Sequence, residues 1–149
     1  MIKIPQLQEI EVLYSNKIKK PERTRISSSA DALIVFRQIW NDYIEVRESL
    51  YILFLNGANE LLGYHLASFG GKTSTVSDVS SILMVALKTN SSGILIAHNH
   101  PSGINQPSNE DKVITKRINK ACELVGLRFF DHMIVTFESY YSFMDEGMI

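Results

Sequence analysis

Cysteine is almost missing from this chain of 149 residues, which contains only Cys122. A single cysteine excludes an intramolecular disulfide and any metal site built from paired thiolates, and it fits a reducing compartment. Long apolar runs are missing too, because the purest one, at residues 50–55, is far shorter than the ~20 residues of a membrane-spanning helix. The first residues also lack the apolar block of a secretory signal. We therefore expect a soluble, cytoplasmic chain with no membrane partner.

Neither sign of charge predominates, since Lys and Arg number 15, Asp and Glu number 16, and the formal net charge is -1. Such a chain lacks the overall positive field that tight, non-specific binding of nucleic acids usually needs. One short segment, residues 17–25, is locally basic, and we interpret it as a solvated connector. Its cations are Lys17, Lys19, Lys20, Arg23 and Arg25.

The composition is that of an ordinary globular domain, with 45% apolar and 21% charged residues. We expect one domain over residues 1–149, with residues 1–8 loosely attached. The hydrophobic pattern predicts a strand at 10–14, a helix at 29–45, a hairpin of strands at 50–55 and 61–69, a helix capped by Asp78, a buried strand at 94–97, a helix from Ser108, and strands at 129–136 and 140–143. Because strands and helices interleave, we predict an α/β domain with a mixed β-sheet flanked by helices in two or three layers.

Apolar side chains recur at spacings of three and four in the predicted helices, which indicates the faces that are buried. In the helix at 29–45 this face comprises Ala32, Leu33, Phe36, Ile39, Trp40 and Tyr43. In the helix from Ser108 it comprises Val113, Ile114, Arg117, Ile118, Ala121 and Val125. Cys122 lies in the same helix, where we expect a small buried residue.

The densest group of potential metal ligands lies at residues 98–111. His98 and His100 follow the buried strand and are two positions apart, so on an extended segment both imidazoles point the same way and can hold one ion. Asp111 lies in the first turn of the next helix and can supply a third ligand. Two nitrogens and one oxygen leave a fourth tetrahedral position for water, as in catalytic zinc sites, and iron or manganese would accept the same set.

Each part of this pattern also has a structural interpretation. A histidine pair on a strand is a weak metal signal when it stands alone, and Ser108-x-x-Asp111 is also typical of a helix capping box with Asp in place of Glu. The joint pattern is more specific than its parts, and the capping and catalytic roles of Ser108 are compatible. We interpret His132 as a core histidine with a carboxylate or backbone partner, and His65 as structural or exposed.

The run His98-x-His100-Pro101, followed after six residues by Ser108-x-x-Asp111, resembles the JAMM (MPN+) metalloprotease motif. The amino-acid sequences of residues 98–103 and 131–135 are more specifically similar to the bacterial RadC-type JAB domain. This resemblance extends over about residues 8–149. The resemblance implies the JAB/MPN fold, related to cytidine deaminases, with one zinc ion held by His98, His100 and Asp111. Deaminase chemistry itself is excluded, because it needs a pair of cysteines.

The resemblance further implies a zinc-dependent hydrolase that cleaves a peptide or isopeptide bond of a peptide or protein substrate through a metal-activated water. Glu48, directly before the strand at 50–55, would be the general acid/base, with Glu45 and Glu60 as alternatives. Ser108 would donate a hydrogen bond to the tetrahedral oxyanion. Asn99 stands where eukaryotic members usually have Ser or Thr, so the eukaryotic isopeptidase substrate does not carry over.

Two other functions remain open at this point. RadC-type proteins carry a DNA-repair label, which implies a DNA-binding or nuclease module. The net charge, the single-metal ligand set and the expected absence of the helix-hairpin-helix module of longer RadC proteins argue against it. A metal-bearing but inactive scaffold is the third hypothesis, and the complete ligand set argues against that one.

Overall fold

The computed structural model of the protein describes residue 15 and residues 17–70 and 78–149. Its elements are the helices α1 (Ser29–Trp40), α2 (Val79–Lys88) and α3 (Asn109–Leu124), the strands β1 (Ser49–Leu55), β2 (Leu61–Phe69), β3 (Gly93–Asn99), β4 (Arg128–Val135) and β5 (Tyr140–Ser142), and 3-10 turns at Lys20–Glu22 and Asn41–Tyr43. The strand predicted at residues 10–14 and the loose segment 1–8 lie outside the described residues. Within the described ranges, none of the helices has the length and apolar character to cross a bilayer.

The strands form one sheet in the order β2-β1-β3-β4-β5. β1 pairs antiparallel with both β2 and β3, β3 pairs parallel with β4, and β4 pairs antiparallel with β5. The parallel pair is joined through α3, because parallel strands need a long crossover. The sheet is therefore mixed, as predicted.

Helices cover both faces of this sheet. On one face, α1 packs Ala32, Phe36 and Trp40 onto the side chains of β1, β3 and β4 that point toward it. On the other face, α2 contributes Ile82 and Ala86, and α3 contributes Ile118 and Cys122. The central strand β3 is buried at every position. The predicted α/β class is confirmed, in its three-layer form.

The first helix ends earlier than predicted. It stops at Trp40 instead of residue 45, because Asn41 takes a positive φ of 46° that interrupts the α-helical hydrogen bonding. Asparagine tolerates positive φ better than most residues. Tyr43 consequently leaves the predicted inner face and is 70% exposed.

The inner face of α3 also differs from the prediction. Val113, Arg117 and Val125 are exposed, whereas Thr115 is 2% exposed beside the predicted Ile118 and Cys122. The polar Thr115 can turn inward because its hydroxyl donates to the Asp111 carbonyl oxygen and also contacts His132. A count of apolar residues misses this face, since hydrogen bonds compensate the burial of its polar member.

The buried side chain of Asp131 joins residues 142–144 to the sheet through hydrogen bonds. Asp131 on β4 is 3% exposed and accepts hydrogen bonds from the Ser142 hydroxyl and the Met144 backbone N–H. Burial raises the pKa of Asp131 to about 6, although these hydrogen bonds oppose the rise. The folded protein therefore favours the protonated carboxyl more than the unfolded chain does.

This preference predicts a pH-dependent stability difference between wild type and Asp131→Asn. A raised folded-state pKa gives stability that is complete below about pH 4 and is lost as the pH rises through about 6. From pH 4 to pH 7, Asp131→Asn should therefore gain on wild type by at most about 3 kcal/mol in the free energy of unfolding. Urea unfolding of both proteins across this pH range measures the difference, in which the titration of other groups cancels. Parallel stability curves would contradict the prediction.

Candidate metal centre

The end of β3 delivers the two histidines to one side of the sheet. His98 pairs with Leu50 of β1 and with Ile134 of β4, so it lies in the middle of the sheet and is 3% exposed. His100 follows the strand, and its backbone N–H donates to the Val135 carbonyl oxygen at 3.0 Å. This bond continues the pairing with β4, so both imidazoles point toward α3.

The three predicted ligand residues converge. His98 Nε2 and His100 Nε2 are 2.9 Å apart. Asp111 Oδ1 lies 3.2 Å from His98 Nε2, and Asp111 Oδ2 lies 3.9 Å from His100 Nε2. The first turn of α3 therefore returns the carboxylate to the point where the two imidazole nitrogens meet.

A capping box at the start of α3 holds this carboxylate. Ser108 is the N-cap residue: its backbone N–H donates to Asp111 Oδ2 at 2.7 Å, and its hydroxyl oxygen accepts from the Asp111 N–H at 3.1 Å. Burial alone would raise the pKa of Asp111, but the interactions with His98 and the hydrogen bonds from Ser108 outweigh it and hold that pKa well below its usual range. The carboxylate is therefore ionised, as a metal ligand must be. The Ser108 hydroxyl accepts here, which leaves its hydrogen to donate elsewhere.

The structure also brings Glu48 to the two histidines. One carboxylate oxygen of Glu48 and one nitrogen each of His98 and His100 lie within 4.8 Å of one another. Its rivals lie elsewhere: Glu45 is exposed, and Glu60 accepts hydrogen bonds from Asn56 Nδ2 at 2.8 Å and Arg23 Nη1 at 3.1 Å at the hairpin turn. The pair with Glu60 also gives Arg23, in the basic connector, a structural role.

Asn99 clamps the segment that carries Glu48. Its side chain points to the α1 side of the sheet, opposite to the histidines, and is fully buried. Asn99 Nδ2 donates to the carbonyl oxygens of Ile44 at 2.7 Å and Arg47 at 2.9 Å, and Asn99 Oδ1 accepts from the Ser49 N–H at 2.8 Å. The Glu48 carbonyl is itself held by the Gly70 N–H at 2.8 Å. The resemblance to the family does not reveal this role of Asn99, although its position between the two histidines is an available signal.

Comparison with known proteins agrees with this geometry. A profile of the RadC-like JAB domain matches residues 26–148 of the chain. The chain belongs to this family. The RadC-like JAB domain is part of a superfamily of metallopeptidases, so the family supports metal-dependent hydrolysis as the general class of chemistry.

Curated relatives of this RadC-like JAB domain carry the name UPF0758 protein. Those of Flavobacterium johnsoniae, Aquifex aeolicus and Porphyromonas gingivalis are 38%, 41% and 35% identical over 124, 114 and 137 residues. The matches cover 83%, 76% and 91% of this chain and 53%, 49% and 60% of the relatives. The chain thus spans about half the length of the curated relatives it matches, and their name states no activity.

The donor set of this JAB domain fits a divalent cation. Nitrogen and oxygen lone pairs at these separations repel one another unless a cation or a proton lies between them. In a tetrahedral zinc site with bonds of ~2.0–2.1 Å, ligand atoms lie about 3.3 Å apart. The separations of 2.9, 3.2 and 3.9 Å among His98, His100 and Asp111 bracket that value. His100 is also suitably oriented, because its Nδ1 lies 2.7 Å from the Ile104 carbonyl oxygen and must carry the hydrogen.

His132 and Thr115 extend the site into the core. His132 is a core histidine, as predicted, but its partners are the side chains of His98 and Thr115 instead of a carboxylate or backbone group. Burial lowers the pKa of His132 well below its ordinary value, so the imidazole is neutral. The sequence pattern gave no indication of Thr115. Its spacing of four residues after Asp111 was the available signal.

The Asn99 clamp predicts a large stability effect. Asn99→Ala leaves the Ile44 and Arg47 carbonyls and the Ser49 N–H without their partners, so the free energy of unfolding should fall by about 2–4 kcal/mol. Urea unfolding in the presence of a chelator measures this without a contribution from metal. Asn119→Ala, at an exposed position of α3, is the control and should change stability by less than about 0.5 kcal/mol. If Asn99→Ala changed the free energy of unfolding as little as the control does, the hydrogen bonds of Asn99 would contribute nothing to stability.

Proposed function

We propose that this chain is a zinc-dependent hydrolase that cleaves a peptide or isopeptide bond in a peptide or protein substrate. The observation that carries the proposal is the convergence of His98 Nε2, His100 Nε2 and the Asp111 carboxylate within 3.9 Å, with Glu48 beside them. Two nitrogen ligands and one oxygen ligand form an open site, which is the arrangement of catalytic rather than structural zinc. The membership in a metallopeptidase superfamily supports the same class of reaction.

Zinc bound by these three side chains would polarise the substrate carbonyl and lower the pKa of a water molecule. Glu48 is the proposed general acid/base: its carboxylate takes the proton of the attacking water and returns it to the leaving amine. The side chain is half-buried, and one of its carboxylate oxygens lies within 4.8 Å of a ring nitrogen of each histidine. The hydrogen bonds around residues 44–49 hold it in place, and such preorganisation favours the transition state.

Ser108 is the proposed donor to the tetrahedral oxyanion. Its hydroxyl oxygen accepts from the Asp111 N–H, so its hydrogen is left to donate to another acceptor. A hydrogen bond of this kind contributes about 3 kcal/mol to the stability of a transition state when it is well placed. One residue thereby starts α3 and assists the reaction.

Elemental analysis of tag-free protein tests the metal site. We expect about one zinc ion per chain in the wild type and none in the His98→Ala/His100→Ala double variant, because that variant keeps one of the three proposed ligands. His65→Ala, which alters an exposed histidine of β2, is the matched control and should retain the metal. Circular dichroism verifies that the variants fold.

Folded wild-type protein that takes up no metal after dialysis against zinc would overturn the proposed site. Iron or manganese at about one ion per chain would keep the ligand set and replace zinc as the ion. A metal content that is equal in the wild type and the double variant would place the ion elsewhere.

Glu48→Gln separates metal binding from catalysis. The variant retains the three proposed ligands, so its zinc content should be unchanged, whereas loss of the general acid/base should lower hydrolysis by about 10²–10⁴-fold. The assay uses fluorogenic peptides and lysine-branched isopeptides. Glu45→Gln changes an exposed carboxylate three residues away and should keep wild-type activity.

Loss of zinc from the Glu48→Gln variant would make Glu48 a ligand and overturn its catalytic role. Equal hydrolysis by wild type and Glu48→Gln would also overturn it. Metal-dependent cleavage of DNA, without cleavage of any peptide, would favour the DNA-repair alternative.

A further inference from the structure

A chain of hydrogen bonds leads from α3 through the core to the back of His98. Thr115 Oγ1 lies 2.6 Å from His132 Nδ1, and His132 Nε2 lies 2.8 Å from His98 Nδ1. His132 is fully buried, and its ring stacks on Phe143 at 4.9 Å with 6° between the planes. Both ring nitrogens of His132 therefore take part in this series of hydrogen bonds.

The donor and acceptor of each hydrogen bond in this series follow from the first bond, which the Thr115 hydroxyl donates. The Thr115 hydroxyl donates to the Asp111 carbonyl oxygen, which can only accept, so the single hydroxyl hydrogen is used there. Thr115 Oγ1 must then accept from His132 Nδ1–H. A neutral imidazole with its hydrogen on Nδ1 has a lone pair on Nε2, so His132 accepts from His98 Nδ1–H.

We propose that His132, oriented by Thr115, is a positioning residue that fixes His98 in the tautomer whose Nε2 lone pair faces His100 and Asp111. The inference rests on the proposed zinc site for its consequence, which is tighter binding of the ion. A ligating histidine usually donates its second ring nitrogen to a carboxylate, carbonyl or water. Here the acceptor is another histidine.

The surroundings of His132 argue against a purely structural role. It lies opposite Ile96 in the sheet, on the face that packs Ile94, Ile96 and Ile118 into an apolar cluster. An aliphatic or aromatic residue would fill such a position without burying two polar atoms. The bonds of His132 instead form a closed path, since the path begins at the Asp111 carbonyl and ends at His98 Nε2, 3.2 Å from the Asp111 carboxylate. Two proposed ligands are therefore oriented together.

The hydrogen on His98 Nδ1 can be measured without any metal or substrate, because a proton between His98 Nε2 and its neighbours in the metal-free protein would leave the Nδ1 hydrogen in place. Long-range ¹H–¹⁵N correlation spectra of the chelator-treated protein at about pH 8.5, above the ordinary titration range of histidine, report which ring nitrogen carries the hydrogen. We expect hydrogen on Nδ1 of both His98 and His132. Thr115→Val removes the hydroxyl at nearly constant volume and should give mixed tautomers, whereas Thr115→Ser should restore the wild-type spectrum.

Zinc affinity is the second measurement, made by competition with a chromophoric chelator. His132→Phe should weaken Zn²⁺ binding by about 10–100-fold, which is the usual effect of losing such an acceptor. Thr115→Val should weaken it in the same direction, and Thr115→Ser should bind as the wild type does. His65→Gln is the control for loss of an exposed histidine and should bind normally. If His132→Phe fails to fold, the two Thr115 variants carry the comparison.

Two results would overturn the inference. One is a neutral wild-type His98 with its hydrogen on Nε2, and the other is a Thr115→Val protein with wild-type tautomers and wild-type zinc affinity. A wild-type protein that shows hydrogen on His98 Nδ1 but takes up no zinc would support the tautomer and overturn the proposed function instead. The two failures are thus distinguishable.

Discussion

Successive side chains of a β-strand point to opposite faces of the sheet, and this constraint sorts the three residues at the end of β3. His98 and His100 point toward α3, while Asn99 between them points toward α1. The histidines meet the carboxylate that the first turn of α3 supplies, and Asn99 binds the backbone on both sides of Glu48. A single tripeptide therefore connects the proposed ligands with the proposed general acid/base, through opposite faces of one sheet.

Four polar side chains of this region are buried, and each has a hydrogen-bond partner. His98, Asn99, Thr115 and His132 are all less than 4% exposed, among core side chains that are mostly apolar. Hydrogen bonds between such groups are strong where the local dielectric constant is low, and an unpaired member is correspondingly unfavourable. Other arrangements of these side chains would leave buried polar groups unpaired and are therefore unfavourable in free energy. The network thus holds the side chains in one arrangement, as a catalytic site requires.

The parts of this arrangement that the sequence predicts are those that depend on residues close together in the chain. Local patterns predicted the helices and strands of the described residues, and the spacing of His98, His100 and Asp111 predicted that these side chains meet. Glu48 came from a family resemblance, since its approach to the histidines depends on the register of β1 against β3. The inward turn of Thr115 and the role of Asn99 could not be read from the pattern, because both depend on partners far away in the sequence, at His132 and at residues 44–49.

Asp111 belongs at once to the capping box of α3 and to the cluster of proposed ligands, with Oδ2 bonded to the Ser108 N–H and Oδ1 next to His98. Helix ends fray, and fraying of this one would carry the carboxylate away from the histidines. By thermodynamic linkage, an ion held by the proposed ligands would oppose that local opening, more strongly as the concentration of the free ion rises. Binding of an ion at the site and ordering of the first turn of α3 would thus be thermodynamically coupled. Amide hydrogens at the start of the helix would then exchange with solvent more slowly as the concentration of that ion rises.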